Sequence, residues 1–183
     1  MSKNDKNDIE KILVTREEIA ARVKELAAQI SEDYKDKDLL VIGLIKGVVY
    51  FMCDLTRELT IPADLDFMRI SSYGSGTTSG QLKFLMDASL DIKDRDVLLL
   101  DDIVDSGNTL KKVKELLLER HPRSLKIAVL LDKKDRREVD IDVDYIGFNI
   151  PDHFVVGNGL DYNEHYRNLG FIGVLKPAVY KNK

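Results

Sequence analysis

Three carboxylates, Asp101, Asp102 and Asp105, stand close together in the run VLLLDDIVDSGNTL (Val97–Leu110). An apolar stretch precedes them, and Ser106, Gly107, Asn108 and Thr109 follow. This order predicts a buried strand, a tight loop of small residues and then a helix. In an open parallel sheet, ligands sit beyond the carboxyl ends of the strands, which is where this loop falls. Small residues let backbone N–H groups point inward, and the helix behind them adds partial positive charge. That combination suits a phosphate monoester. The hydroxyls of Ser106 and Thr109 can bond the same group. The carboxylates would repel a phosphate, so they need another partner: vicinal sugar hydroxyls, or a hydrated Mg²⁺ beside them. A phosphate end next to a sugar end describes a site for a sugar phosphate. An ordinary acidic strand end before a capped helix accounts for one carboxylate, not for three followed by Ser-Gly-x-Thr.

The elements that must hold this segment follow from periodicity. Thr15 and Glu18 have capping-box spacing, and Ile19, Val23, Leu26, Ala27 and Ile30 recur at helical intervals, which predicts a helix over 16–34. Leu39–Ile45 (LLVIGLI) has the pattern of a strand buried on both faces. Gly47 follows, and Val48–Leu59 can form a covering helix. Asp64–Ile70 and Gln81–Asp87 alternate as strands do, with Ser71–Gly80 (SSYGSGTTSG) between them as a mobile loop. Beyond the Val97–Leu100 strand, the pattern predicts a helix over Thr109–Arg120 and a strand over Lys126–Leu131. Strands over Tyr145–Ile150 and Phe171–Leu175 follow, with a short helix near Tyr162–Asn168. This alternation predicts an α/β fold: a central, mostly parallel twisted sheet flanked by helices. The loop-rich last third can form a separate lobe. The first dozen residues (1–12) read as flexible, and 1–183 reads as a single domain.

The chain has 183 residues, of which 44% are hydrophobic, enough for a real core. A net charge of -4 argues against a dedicated nucleic-acid binder. No apolar run approaches the roughly 20 residues that span a bilayer, and MSKNDKNDIEK has no apolar signal core. These features predict a cytoplasmic protein with no membrane partner. Cys53 is the lone cysteine and lies in the apolar stretch Val48–Leu55, so it reads as a buried small hydrophobe. GSGTTSG (Gly74–Gly80) fits neither the dinucleotide fingerprint nor the P-loop. His121, His153 and His165 lack metal-site spacing.

Residues 97–110 resemble the phosphoribosyl-diphosphate-binding motif of the type I phosphoribosyltransferases. LLDKK (130–134) and IGFNIPDHFVVGNGLDYNEHYRNL (146–169) resemble the hypoxanthine-guanine branch of that family. The likeness in order and spacing runs from Leu39 to Leu175. It implies a type I phosphoribosyltransferase fold with a small hood lobe. It also implies a purine-salvage reaction: phosphoribosyl transfer from phosphoribosyl diphosphate to N9 of hypoxanthine or guanine, giving IMP or GMP and pyrophosphate.

The resemblance implies roles for particular residues. Asp101 and Asp102 face the ribose hydroxyls and contact Mg²⁺, while Ser106, Gly107, Asn108 and Thr109 hold the 5-phosphate. Asp105 lies near purine N7 and is the catalytic acid–base group. Lys133 donates to the 6-oxo group, Phe154 stacks on the base, and the main chain of Val155 reads the base edge. Asp161 is a further Mg²⁺ contact and Arg167 binds pyrophosphate. Lys46 and Gly47 match the pyrophosphate loop, where the peptide before the lysine is often cis. Ser72 and Tyr73 match the start of a mobile loop that closes over the reacting atoms and excludes water. Relatives are commonly homodimers or homotetramers, with Val48–Leu59 a candidate interface. Without the resemblance, Lys133 reads as a solvated lysine in the run DKKDRRE, Phe154 as a core aromatic and Arg167 as a surface-helix arginine. The donor motif does not choose the acceptor. Xanthine or a pyrimidine as acceptor, and a nucleic-acid-binding regulator on the same fold, stand as alternatives.

Overall fold

The structure is a computed structural model that describes residues 6–72 and 82–181. The chain runs through β1 (Ile9–Val14), α1 (Arg16–Asp33), β2 (Leu39–Leu44), α2 (Val49–Glu58) and β3 (Asp64–Ser72). Next come β4 (Leu82–Met86), β5 (Asp96–Val104), α3 (Asn108–Leu118), β6 (Ser124–Asp132) and β7 (Tyr145–Asn149). The last third adds β8 (Val155–Val156), β9 (Ile172–Leu175) and a short α4 (Pro177–Tyr180).

Six strands form the main sheet in the order β4-β3-β2-β5-β6-β7. Every pair is parallel except β3 with β4, so the predicted α/β class holds. Alternate residues of the central strands feed two different cores, as the two-residue period of a strand requires. Val41, Leu98, Leu100 and Leu130 pack with α1 and α2 on one face. Ile42, Leu99, Ile127 and Val129 pack with Leu110, Val113 and Leu117 of α3 on the other. Thr15 and Glu18 form the predicted capping box, each side chain accepting the other's backbone N–H.

Three strands, β1-β9-β8, make a separate antiparallel sheet that forms the hood. Residues 9–12, expected to be loose, therefore belong to a strand: their backbone groups find partners in β9, some 160 positions away, which local polarity does not reveal. The hood is fastened further by the Lys176 N–H donating to Asp8 O (2.9 Å) and the Tyr166 hydroxyl donating to Asp8 Oδ2 (2.6 Å).

Two further expectations are corrected. Cys53 is exposed, because the buried face of α2 is Phe51, Met52 and Leu55, and position 53 turns away from it. The short helix near Tyr162–Asn168 does not form. Tyr162 and His165 instead exchange backbone hydrogen bonds (3.2 and 3.0 Å), and Asn163, Glu164 and Tyr166 have positive φ. The Arg167 carbonyl accepts from the Gly159 N–H (2.9 Å), so the segment folds back on the turn before it rather than bonding within itself.

Candidate active site

The donor segment stands at the carboxyl end of β5, in the middle of the sheet. The strand is longer than the apolar run Val97–Leu100 predicted. β6 keeps pairing with it through Asp101↔Val129, Ile103↔Leu131 and Val104↔Asp132. Asp101 and Asp102 thus sit on the strand, held by its ladder, and the loop begins only at Asp105. Burial pushes the Asp101 carboxyl well above the usual carboxylate range, and the neighbouring Asp102 charge adds to this. Asp102 is raised too, since burial outweighs its hydrogen bonds and the favourable charge of Arg167.

The turn after β2 packs directly on this pair. The Ile45–Lys46 peptide is cis, and the Ile45 N–H donates to Met68 O (2.9 Å). A Cβ on Gly47 would overlap the Asp102 carboxylate, and one on Gly159 would overlap the Gly47 carbonyl. Only glycine lets the Gly47 and Gly159 backbones approach each other, and the Asp102 carboxylate, so closely. The Lys46-Gly47 turn, the acidic pair and the hood loop are thereby stacked in one place.

Beyond Asp105 the loop encloses a cavity of about 210 Å³, lined by Asp101, Asp105, Ser106, Gly107 and Thr109. Gly107, at the N-cap of α3, has φ +84° and no side chain to cap the helix; the Asn108 N–H makes a long bond to Ser106 Oγ (3.4 Å), and the start of α3 presents its positive end to an anion. Asn108 is turned elsewhere: its amide donates to Glu138 Oε2 (2.7 Å) and to Ser106 Oγ (3.2 Å).

A second cavity, of about 500 Å³, opens beside Asp105. Ile103, Lys133, Phe154, Val155 and Leu160 line it, together with Arg136, Asp152 and Tyr180. Lys133 is only 7% exposed, which overturns its reading as a solvated lysine. Its backbone N–H donates to Val104 O (3.0 Å) and its ammonium lies 3.6 Å from Asp152 Oδ1. Phe154 is not a core residue either, being 38% exposed. Tyr180 stacks on its ring at 4.7 Å between centroids, and Tyr162 meets it edge-on at 5.7 Å.

A third group of charges faces the Lys46 turn. Lys46 Nζ lies 3.0 Å from Glu164 Oε2. Arg167 reaches Asp161 Oδ1 (2.7 Å) and Glu164 Oε2 (3.3 Å), and donates to Gly159 O (2.7 Å). Arg167 is therefore a fixed, partly buried cation on a turn rather than a surface-helix arginine.

The structure thus brings the residues chosen from sequence around two adjoining cavities and one basic turn. Ser72 is the last residue of β3. Tyr73, and the loop expected over 71–80 from that point on, lie outside the described residues. Arg136, Asp152, Glu164 and Tyr180 were missed. Asp152 stands two residues before Phe154, and Arg136 three after Lys133, which was the only available signal for either. Among the described residues, no three His, Cys, Asp or Glu side chains converge as a ready-made metal site. Asp101 and Asp102 nonetheless supply adjacent carboxylate oxygens, the donor type that Mg²⁺ takes. Asp161 differs, since Arg167 and the Glu164 N–H (2.9 Å) engage its oxygens.

Comparison with known proteins agrees with this geometry. A family model described as "Phosphoribosyl transferase domain" matches residues 11–164. The chain is 49% identical over 178 residues to the hypoxanthine-guanine phosphoribosyltransferase of Bacillus subtilis, covering 97% of this chain and 99% of that one. It is 48% identical over 177 residues to the enzyme of the same name from Staphylococcus aureus, covering 96% and 99%. A crystal structure of a hypoxanthine phosphoribosyltransferase from Staphylococcus aureus superposes with a TM-score of 0.93 at 47% identity, covering 96% of each chain.

Proposed function

The chain belongs to the phosphoribosyl transferase family, and from that membership we propose that it is a purine-salvage glycosyltransferase acting on hypoxanthine and guanine. It transfers the 5-phosphoribosyl group of phosphoribosyl diphosphate to N9 of the base and releases pyrophosphate with IMP or GMP. The observation that carries this reading is the larger cavity. A nearly buried ammonium, Lys133, an aromatic wall, Phe154, and a carboxylate, Asp105, line one space. An ammonium can donate to a 6-oxo group but has nothing to accept from a 6-amino group, which favours 6-oxopurines over adenine.

The reaction is a displacement at the anomeric carbon. The N9–C1 bond forms as the C1–O bond to pyrophosphate breaks, with inversion, and the leaving oxygen takes the bonding pair. Asp105 accepts the N7 proton as the purine turns nucleophilic. The 210 Å³ cavity behind it takes the 5-phosphate through Ser106, Gly107, Thr109 and the start of α3. Lys46 and Arg167 exchange Glu164 for pyrophosphate and stabilise the charge it gathers. Asp101 and Asp102 would hold Mg²⁺, and Asp161 would join them once Arg167 leaves it for pyrophosphate; the ion, when bound, would neutralise charge developing on the leaving group. The Val155 main chain meets the base edge.

No helix among the described residues is long and apolar enough to cross a membrane. An exposed free thiol at Cys53 fits a reducing cytoplasm. We expect a homodimer or homotetramer. The nucleic-acid-binding alternative is not favoured, since the groups a regulator could dispense with, Asp105, Lys133, Asp161 and Arg167, are all retained. A pyrophosphate-release assay with Mg²⁺, phosphoribosyl diphosphate and each of hypoxanthine, guanine, xanthine and adenine tests the proposal. Release with hypoxanthine or guanine, well above adenine, supports it. No release with any base would sink it, and a clear preference for xanthine would reassign the acceptor.

A further inference from the structure

The base cavity holds a charge network that the roles above do not use. Arg136 Nε lies 2.8 Å from Asp105 Oδ1, and Arg136 Nη1 lies 3.4 Å from Asp152 Oδ2. Asp152 Oδ1 is in turn 3.6 Å from Lys133 Nζ. Charges alternate along the wall: carboxylate, guanidinium, carboxylate, ammonium. The two ends are the groups assigned to N7 and to the 6-oxo oxygen of the base.

The backbone delivers Arg136 to this position. It ends the single turn of 3-10 helix over Lys134–Arg136. The Lys133 N–H donates to Val104 O (3.0 Å), and the Glu138 N–H donates to Ser106 O (3.0 Å). Val104 and Ser106 flank Asp105. The segment carrying Arg136 is therefore bonded to the donor loop on either side of the aspartate that Arg136 touches.

Asp105 Oδ1 is buried and accepts no well-aligned hydrogen bond, so the Arg136 guanidinium faces it as a charge, whereas the side chain as a whole is 44% exposed. Oδ2 is left as the oxygen able to face a ligand. We propose that Arg136 is a positioning residue for the transfer. It fixes Asp105 through Oδ1 so that Oδ2 meets the purine, and Asp152 ties this clamp to Lys133. A carboxylate held on one oxygen has less freedom to lose when the base arrives, and reaction rates respond steeply to such alignment. The guanidinium donates to Asp152 Oδ2 (3.4 Å) and sets its charge against Asp105 Oδ1 (2.8 Å), so one planar cation engages both carboxylates.

The inference rests on the function proposed above, and a double-mutant cycle separates the two. Steady-state kinetics with hypoxanthine, phosphoribosyl diphosphate and Mg²⁺ would be measured for the wild type, Arg136→Gln, Arg136→Lys, Asp105→Asn and the Arg136→Gln/Asp105→Asn pair. Arg136→Gln should lower kcat roughly 10- to 100-fold, with the KM for phosphoribosyl diphosphate unchanged. Arg136→Lys should recover part of the loss. In the Asp105→Asn background, Arg136→Gln should have no further effect, because Arg136 acts through Asp105. Thermal unfolding separates a folding defect from this outcome, and Arg136→Lys, which keeps charge and stem, carries the test if the glutamine variant is unstable. Undiminished kcat in Arg136→Gln, or an equal loss in both backgrounds, would overturn the positioning role while leaving the enzyme's assignment intact. A wild type that forms no nucleotide would overturn both.

Discussion

In the proposed reaction, Lys133 and Asp105 divide the acceptor chemistry between them. Removing the ammonium in Lys133→Gln leaves the 6-oxo oxygen without a charged donor. We expect kcat/KM for hypoxanthine and guanine to fall by about 10- to 100-fold, the worth of a hydrogen bond to a charged group. The KM for phosphoribosyl diphosphate should stay put, and the preference over adenine should shrink; competition kinetics with the two base classes reads both. Asp105→Asn keeps the shape but cannot take the N7 proton. Single-turnover kinetics should find substrate binding retained and the chemical step about 10²- to 10⁴-fold slower. At this scale the sequence was most legible for the donor half. Asp101, Asp102, Asp105 and Ser106–Thr109 are contiguous, so their shared environment is written in their order. The acceptor half comes from separate stretches around residues 103–105, 133–136, 152–160 and 180. Arg136 sits in a run dense with charge, and nothing in DKKDRRE distinguishes the arginine that reaches Asp105 from its neighbours.

The elements legible in advance were those with one continuous local signal. β2, β5 and β6 are apolar on both faces, and α1 carries both its cap and its stripe. β1 and the turns of 157–169 were not legible, because their backbone bonds go to distant or folded-back partners rather than to a periodic ladder. α3 offers a test of how an element serves the site. Gly107 takes φ +84°, and a Cβ there would press on Ile141, Arg137 and Val139 at 3.0–3.1 Å. Gly107→Ala should cost about 1–2 kcal/mol from its left-handed backbone alone, measurable by denaturant unfolding. It should also raise the KM for phosphoribosyl diphosphate, since the displaced turn is the one proposed to hold the 5-phosphate. An alanine variant as stable as wild type would show that the turn tolerates a side chain.

At the scale of the molecule, α1 is pinned to the far edge of the sheet. Arg22 donates to the carbonyls of Gly147 (3.0 Å) and Ile146 (2.9 Å). The Tyr145 hydroxyl donates to Asp33 Oδ2 (2.6 Å), with Lys126 at 3.3 Å. The Tyr145 hydrogen bond is the largest influence holding the Asp33 carboxyl below its ordinary range. A carboxyl whose folded-state pKa is depressed stabilises the fold above its unfolded-state pKa. That contribution is lost as pH falls through the folded-state value. Tyr145→Phe should therefore lower the Tm at neutral pH, and its gap from wild type should narrow as the pH drops below the usual aspartate range. A gap that stays constant into acid would remove Asp33 from the account. The α/β class was legible at this scale because alternating strands and helices leave few arrangements. The hood sheet was not, because its strands come from both ends of the chain.

That pairing of Ile9–Val14 with Ile172–Leu175 sets an order of assembly. As the chain is synthesised, β1 emerges well before β9, the strand it pairs with. The six-stranded sheet, the donor loop and α3 are all complete by residue 149. β8 and β9 come afterwards, carrying with them Phe154 and the turn that faces Lys46. A nascent chain can thus possess its donor loop and Lys133 while the aromatic wall of the base cavity is still unmade, and β1 waits for β9.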